Sequence, residues 1–333
     1  MTTAGIKDQK LEALRGLAIL LVVAFHVKAW APAQPPDFYK GLLYILGFIR
    51  MPLFTFISGY VYALRPIIPG DALRFLAGKA RRLLLPMACV GSIMFLFKRI
   101  PPYLEPPTKI LQSWKILVFP ISQLWFLQAL FLIFIVIALL ESAKWLDKKW
   151  AWLLTLGLTT LPVVLVGPDM AGPVNWPFSV DGFLFLLPYF FLGLGLGRFK
   201  SLWQSSWVTA AVAALAVVGF GLQILIMLGR LKIQDDKGTP FYLFLSLTYI
   251  FLLFQFKRKV GWLAWLGSFS YSIFLFHIYA IMGVNILLRV SGHTPAPAWR
   301  FGILLLSGLT LPILVHILLR PFRLTRRLFL GLR

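Results

Sequence analysis

Residues 11–31, LEALRGLAILLVVAFHVKAWA, decide the architecture of this chain. From Leu14 onward the run is apolar except for Arg15, His26 and Lys28. It has the length of a membrane-crossing helix, about 17–25 residues. Ala29, Trp30 and Ala31 mimic a small-x-small cleavage site. The bulk of Trp30, the charge of Lys28 and a histidine deep in the run argue for a retained span.

The rest of the chain repeats the pattern. Apolar runs separated by charge or by Pro and Gly lie at about 14–31, 41–64, 83–97, 117–140, 150–166, 182–197, 207–228, 240–256, 262–289 and 300–319. The third is short and can bend after Pro86, and the ninth is long enough to hold a break at Gly267 or an interfacial start. Of 333 residues 59% are hydrophobic and 13% charged, and the mean hydropathy is +0.84. Soluble domains are nearer half apolar and a quarter charged. A soluble enzyme, a disordered tail and a disulfide-rich module are therefore excluded, and the single Cys89 cannot form an internal bridge. The expected fold is an all-α polytopic membrane protein of about ten transmembrane helices. It forms one integral-membrane domain over 1–333, with no room for a separate soluble domain.

Lys and Arg number 33 against 11 Asp and Glu, a net charge of +22. No compact basic face with interleaved aromatics accompanies this excess, so nucleic acid is not the expected partner. Positive residues gather in cytoplasmic loops against anionic lipid. With the N-terminus inside, 21 of the 33 fall on inner segments, which places both termini in the cytoplasm.

Ionisable groups within spans are costly and mark function. His26, His277, Arg50 and Asp181 are such groups here. Arg15 and His26 are 11 residues apart, about 20° past three full helical turns, so they share one face and stand about 16 Å apart along the axis. Glu12, three residues before Arg15, can pair with it. Taken alone, Arg15 also fits a snorkelling anchor and His26 a packed core histidine. His277, about 20 Å into its own span, sits at similar depth and favours a shared cavity. His316 reads as structural and His293 as solvated.

The Arg15–His26 interval matches the reach of a coenzyme A arm, on the order of 15–20 Å at helical rise. Arginine holds phosphate through paired N–H groups. A neutral imidazole is a suitable base for a hydroxyl attacking a thioester, which requires donors for the oxyanion and no metal. Lys79, Arg81 and Arg82 sit at the same inner edge and can share the phosphate-rich head. The expectation is a single tunnel reached by both Arg15 and His26.

At these residues the chain resembles the membrane acyltransferase family 3, the O-acyltransferases of surface polysaccharides. Arg15, ten intervening residues and His26 match its first-span signature. Residues 51–60, MPLFTFISGY, are similar to its PLFFFISGY segment, and 79–86, KARRLLLP, to its basic RRLLLP stretch. LWFL at 124–127, LPYFFLG at 187–193 and SYSIFLFH at 270–277 follow in family order. Glu12 stands where the family often has Asp. Some members carry a C-terminal hydrolase-like domain; this chain ends at Arg333, so such a partner is expected to be separate.

The resemblance implies an acyl-CoA donor, most simply acetyl-CoA, met at the cytoplasmic face of a bacterial-type inner (plasma) membrane. The acceptor would be the hydroxyl of a glycan or lipid-linked sugar. It implies that Arg15, Arg81 and Arg82 contact the donor, that His26 is the catalytic base, and that His277, Ser58, Tyr60 and Trp125 line the site. The residues themselves fit equally a Trp125 that packs against lipid or the interface and a Ser58 hydroxyl bonded to its own helix. Gly59 reads as a close-contact position, and Arg50 as a group reaching the acceptor or steadying His26. A transporter or flippase also accommodates buried histidines, although the two halves show no internal symmetry. A structural subunit leaves both deep histidines unexplained.

Overall fold

The computed structural model describes residues 8–30, 37–68, 70–97, 115–119, 122–167, 176–256, 258, 260–293 and 295–332. Lys7, Ala31, Lys257, Lys259 and Arg333, which belong to the expected spans and inner-face charges, lie outside the described residues. All regular structure within the described residues is helical. In chain order the helices are α1 (Gln9–Trp30), α2 (Asp37–Ile45), α3 (Arg50–Leu64), α4 (Ala72–Phe97), α5 (Lys115–Val118), α6 (Trp125–Ser142), α7 (Lys149–Val166), α8 (Val180–Arg198), α9 (Ser206–Met227), α10 (Pro240–Gln255), α11 (Gly261–Ser268), α12 (Ser270–Val290), α13 (Pro297–Leu319) and α14 (Arg323–Leu330).

Local chemistry sets several boundaries. Pro240 opens α10, and the Thr239 hydroxyl accepts from the Tyr242 amide at 3.1 Å, satisfying an otherwise orphaned donor. Pro297 likewise opens α13, there without a side-chain cap. Pro86, Pro162, Pro188 and Pro312 lie inside α4, α7, α8 and α13, a placement that membrane helices tolerate when neighbours re-satisfy the freed carbonyls.

Among the described residues, seven helical stretches are long and apolar enough to cross a membrane by length and composition. The other three expected spans fall on α1, α4 and α10. The first carries Lys10, Glu12, Arg15 and Lys28; the second carries Arg74, Lys79, Arg81 and Arg82; the third is only 16 residues long. Two boundaries differ from the sequence reading. The third run begins at Ala72 because helix extends back through the basic stretch, and it continues through Pro86. The ninth run breaks at Phe269, between α11 and α12, and not at Gly267.

Gly267 has a different use. A Cβ there would lie 1.8 Å from the Glu12 carbonyl oxygen, and one on Gly16 would lie 2.0 Å from that of Leu263. Without hydrophobic drive between helices in lipid, backbone approach through small residues is what brings α1 and α11 together. The α3–α8 pair repeats the device. A Cβ on Gly59 would lie 2.0 Å from the Phe190 oxygen, and one on Gly193 would lie 2.0 Å from that of Phe56. Gly59 is thus a packing position. Gly59→Val is expected to destabilise the protein by roughly 1–3 kcal/mol or more, because two backbones must separate. A thermal-unfolding midpoint in detergent equal to that of wild type would contradict this.

Candidate functional site

Two cavities lie along α1. The larger, ≈ 710 Å³, is lined by Glu12 and Arg15, by Ser58 and Arg65 of the α3 end, by Lys79 and Arg82 of α4, and by Ser272, His316 and Arg320. Its size falls within the roughly 300–1,000 Å³ of small-molecule and cofactor sites. Five cations face it (Arg15, Arg65, Lys79, Arg82 and Arg320), with Glu12 as the acid among its lining residues. Arg15 donates to Glu12 at 2.8 Å, one helical turn away, which fixes the guanidinium on this wall. The Lys79 ammonium lies 3.8 Å from the centroid of Phe134. The Ser58 hydroxyl donates to the Phe54 carbonyl at 2.9 Å, so it faces the cavity while bonded to its own helix.

The smaller cavity, ≈ 120 Å³, is lined by His26, Arg50, Gln123, Trp125, Asp181, Lys237 and Tyr242 together with Phe25 and Phe274. His277, fully buried, stands behind His26. Its Nε2 is 3.3 Å from His26 Nδ1, and the rings meet edge-on at 4.9 Å between centroids. Carbonyl acceptors assign the protons. His277 Nδ1–H donates to Ile273 and Phe274 oxygens at 2.9 Å each, so its Nε2 holds a lone pair. His26 Nδ1–H donates to Val22 at 2.8 Å and toward that lone pair. This leaves His26 Nε2 with a lone pair on a ring that lines the chamber, the state a general base needs.

The segments around the chamber are held in uncommon backbone conformations. Ser122, Phe178 and Ser179 have φ of 52°, 57° and 56°, a region that non-glycine residues enter at a cost of order 1–3 kcal/mol and that clusters at functional sites. They precede Gln123 and Trp125 on one side and Asp181 and Gly182 on the other. Gly182 makes room for the Trp125 ring, which would lie 2.6 Å from a Cβ there. Ser179 is anchored to Gln128 at 3.0 Å.

A family model described as an acyltransferase domain (acyltransferase family 3) matches residues 8–317, nearly the whole chain, including the whole small cavity and most of the large one. The chain belongs to acyltransferase family 3. It is therefore an acyltransferase of the O-acyl type with a multi-helix membrane domain. Neither the curated proteins nor the solved structures yielded a match.

The positions of the anticipated residues in this acyltransferase are mixed. Arg15, Glu12, Lys79, Arg82 and Ser58 meet in the large cavity; His26, Arg50 and Trp125 meet in the small one, with His277 behind. Two residues lie elsewhere. Arg81 lines neither cavity, and its Nε is buried with no hydrogen-bond partner among the described residues; two adjacent residues on one helix turn different ways, and Arg82 takes the cavity side. Tyr60 packs against Phe254 at 4.7 Å between ring centroids, on the α10 side of α3.

Two cavities stand where a single tunnel was expected. The two cavities share Phe274 as a wall. Phe126 sits 5.5 Å from Phe274 and 6.2 Å from Phe54, an aromatic plug between the basic cavity and the histidine chamber. Sequence reasoning missed Gln123, Tyr242 and Lys237 in the chamber and the cavity roles of Arg65 and Arg320, which it counted only as inner-face charge. Asp181 was legible as an ionisable group at a span end. Lys237 had no such signal, because a lysine in a polar loop is unremarkable until folding buries it. Burial and the neighbouring Arg50 charge push its ammonium down to about 8.

His277 contacts His26, and its replacement has a defined signature. His277→Ala is expected to lower kcat about 2–10-fold, the worth of one net hydrogen bond, with KM for the acyl donor little changed. Steady-state kinetics on purified protein checks this; a rise in donor KM alone would reassign the residue.

Proposed function

We propose that this acyltransferase moves an acyl group, acetyl by preference, from acyl-coenzyme A to a hydroxyl of a glycan or lipid-linked sugar, with His26 as general base. The observation that carries this reading is the polarity of α1. One face of one helix presents Arg15 to a basic cavity and, about 16 Å further along, an imidazole lone pair to a second chamber.

Arg15, Lys79 and Arg82, supported by Arg65 and Arg320, bind the donor's phosphate groups. The acyl-pantetheine arm then runs along α1, and the Phe54–Phe126–Phe274 plug must rotate aside to let the thioester reach His26. His26 Nε2 removes the acceptor hydroxyl proton as that oxygen bonds to the thioester carbonyl carbon. The tetrahedral intermediate collapses with cleavage of the carbon–sulfur bond. The departing thiolate takes the proton from the imidazolium, leaving an ester and free coenzyme A. Gln123, on the chamber wall, is available to stabilise the intermediate's oxyanion.

Counting α1, α4 and α10 with the seven apolar stretches gives ten crossings. We read the basic cavity as cytoplasmic, with both termini on that side and the chamber toward the outer face of a plasma membrane. Support comes from the excess of Lys and Arg on the segments around that cavity.

The test is direct. Purified protein incubated with labelled acetyl-CoA and glycan acceptors should release coenzyme A thiol in step with label appearing in the acceptor. Movement of a saccharide across vesicles with the thioester left intact would favour transport instead.

A further inference from the structure

Arg50 and Lys237 bring two positive charges into the chamber that His26 lines. Arg50 comes from the start of α3 and Lys237 from the loop preceding α10. Both approach the Phe25 ring, with the guanidinium carbon 3.6 Å and the ammonium 6.0 Å from its centroid. Neither forms an ion pair within the described residues. Arg50 commits one N–H to the Gly47 carbonyl at 3.3 Å. The loop's own Asp235 is held by the Tyr44 hydroxyl. Asp181, the carboxylate on the chamber wall, has a buried Oδ1 with no hydrogen-bond partner among the described residues and forms no ion pair with either cation there.

Both side chains are half-buried, and such charge without a counter-ion is unfavourable unless a ligand supplies one. Proton transfer to His26 does not relieve this excess, because the imidazolium is matched by the oxyanion of the intermediate formed in the same step. Arg50 and Lys237 therefore remain two charges against the one carboxylate on the wall. A neutral sugar leaves that excess uncompensated, whereas an anionic one offsets it.

We propose that the histidine chamber selects an acceptor bearing an oxyanion, a carboxylate or a phosphate, close to the hydroxyl to be acylated, and that Arg50 and Lys237 hold that oxyanion. The proposal rests on the acyl-transfer reading and adds the class of acceptor. The guanidinium offers paired N–H groups to a planar or tetrahedral oxyanion, and the ammonium adds a point charge. Asp181 is left to accept from a neighbouring sugar hydroxyl.

Three probes sharing one ring separate the possibilities: methyl glucoside (neutral), methyl glucuronide (carboxylate) and glucose 6-phosphate (phosphate). With full-length protein and acetyl-CoA, wild type should favour at least one anionic probe by about 10-fold in kcat/KM, the worth of one charged hydrogen bond. Lys237→Gln should erase most of that preference and Lys237→Arg should keep it. Whichever anionic probe wins identifies the source of the oxyanion. Equal kcat/KM for all three probes would overturn the proposal. So would an equal loss on all three in Lys237→Gln, which would assign the lysine to the oxyanion of the intermediate or to structure. Calorimetric titration of the same probes without acetyl-CoA keeps the two readings apart. If no probe is acylated, the acyl-transfer reading fails, while tighter anionic binding lost in Lys237→Gln still supports the charge selection and its absence still overturns it.

Discussion

Replacing His26 with Ala is expected to lower acyl transfer by about 10²–10⁴-fold, the usual contribution of a positioned general base. The effect should fall on kcat, because the basic cavity proposed to take the donor does not include His26 in its lining. The substitution also strips His277 Nε2 of its partner at 3.3 Å, so a control is needed. His26→Gln keeps a polar group near that lone pair and should be equally inactive while retaining the wild-type thermal midpoint. A purified, inserted His26→Ala protein turning over at the normal rate would remove the imidazole from the chemistry.

Arg15→Ala carries the second large effect. Losing one charged contact to a phosphate should raise the KM for acetyl-CoA by about 10–100-fold, from the ~1.5–3 kcal/mol such hydrogen bonds contribute. The kcat should change far less, since Arg15 is about 16 Å from the reacting atoms. Arg15→Lys should recover part of the loss, because a point charge replaces a paired donor. The 2.8 Å contact from Glu12 predicts a smaller rise in KM for Glu12→Gln, which loosens the guanidinium without removing it. Donor-saturation curves at two ionic strengths decide the matter. An unchanged KM would mean that Arg15 is only an interfacial anchor.

Arg15 and His26 are legible in the sequence because both lie on one helix. An interval of 11 residues fixes face and separation from helical geometry alone, and α1 runs unbroken from Gln9 to Trp30. The same is true of the Glu12–Arg15 pair and of Gly59, whose lack of a side chain marks a close helix crossing. Relations between helices were legible only as coincidences of depth. That His26 and His277 sit at similar depth is readable; that they meet at 3.3 Å, with the proton on His26 Nδ1, requires both helices in place.

By itself, then, the amino-acid order determined an all-helical membrane protein, its acyltransferase family, and a first helix carrying a cation and an imidazole on one face. These follow from hydropathy and from the fixed pitch of a helix, which are local properties. Only the tertiary structure decided that Arg82 and not Arg81 faces the large basic cavity, and that Tyr60 turns toward α10. It also set phenyl rings where the two cavities adjoin and brought a loop lysine beside Arg50. Those outcomes depend on which neighbour each side chain meets, and the neighbours lie tens to hundreds of residues away in the chain. The approach of glycine-bearing helices such as α3 and α8 sets those meetings.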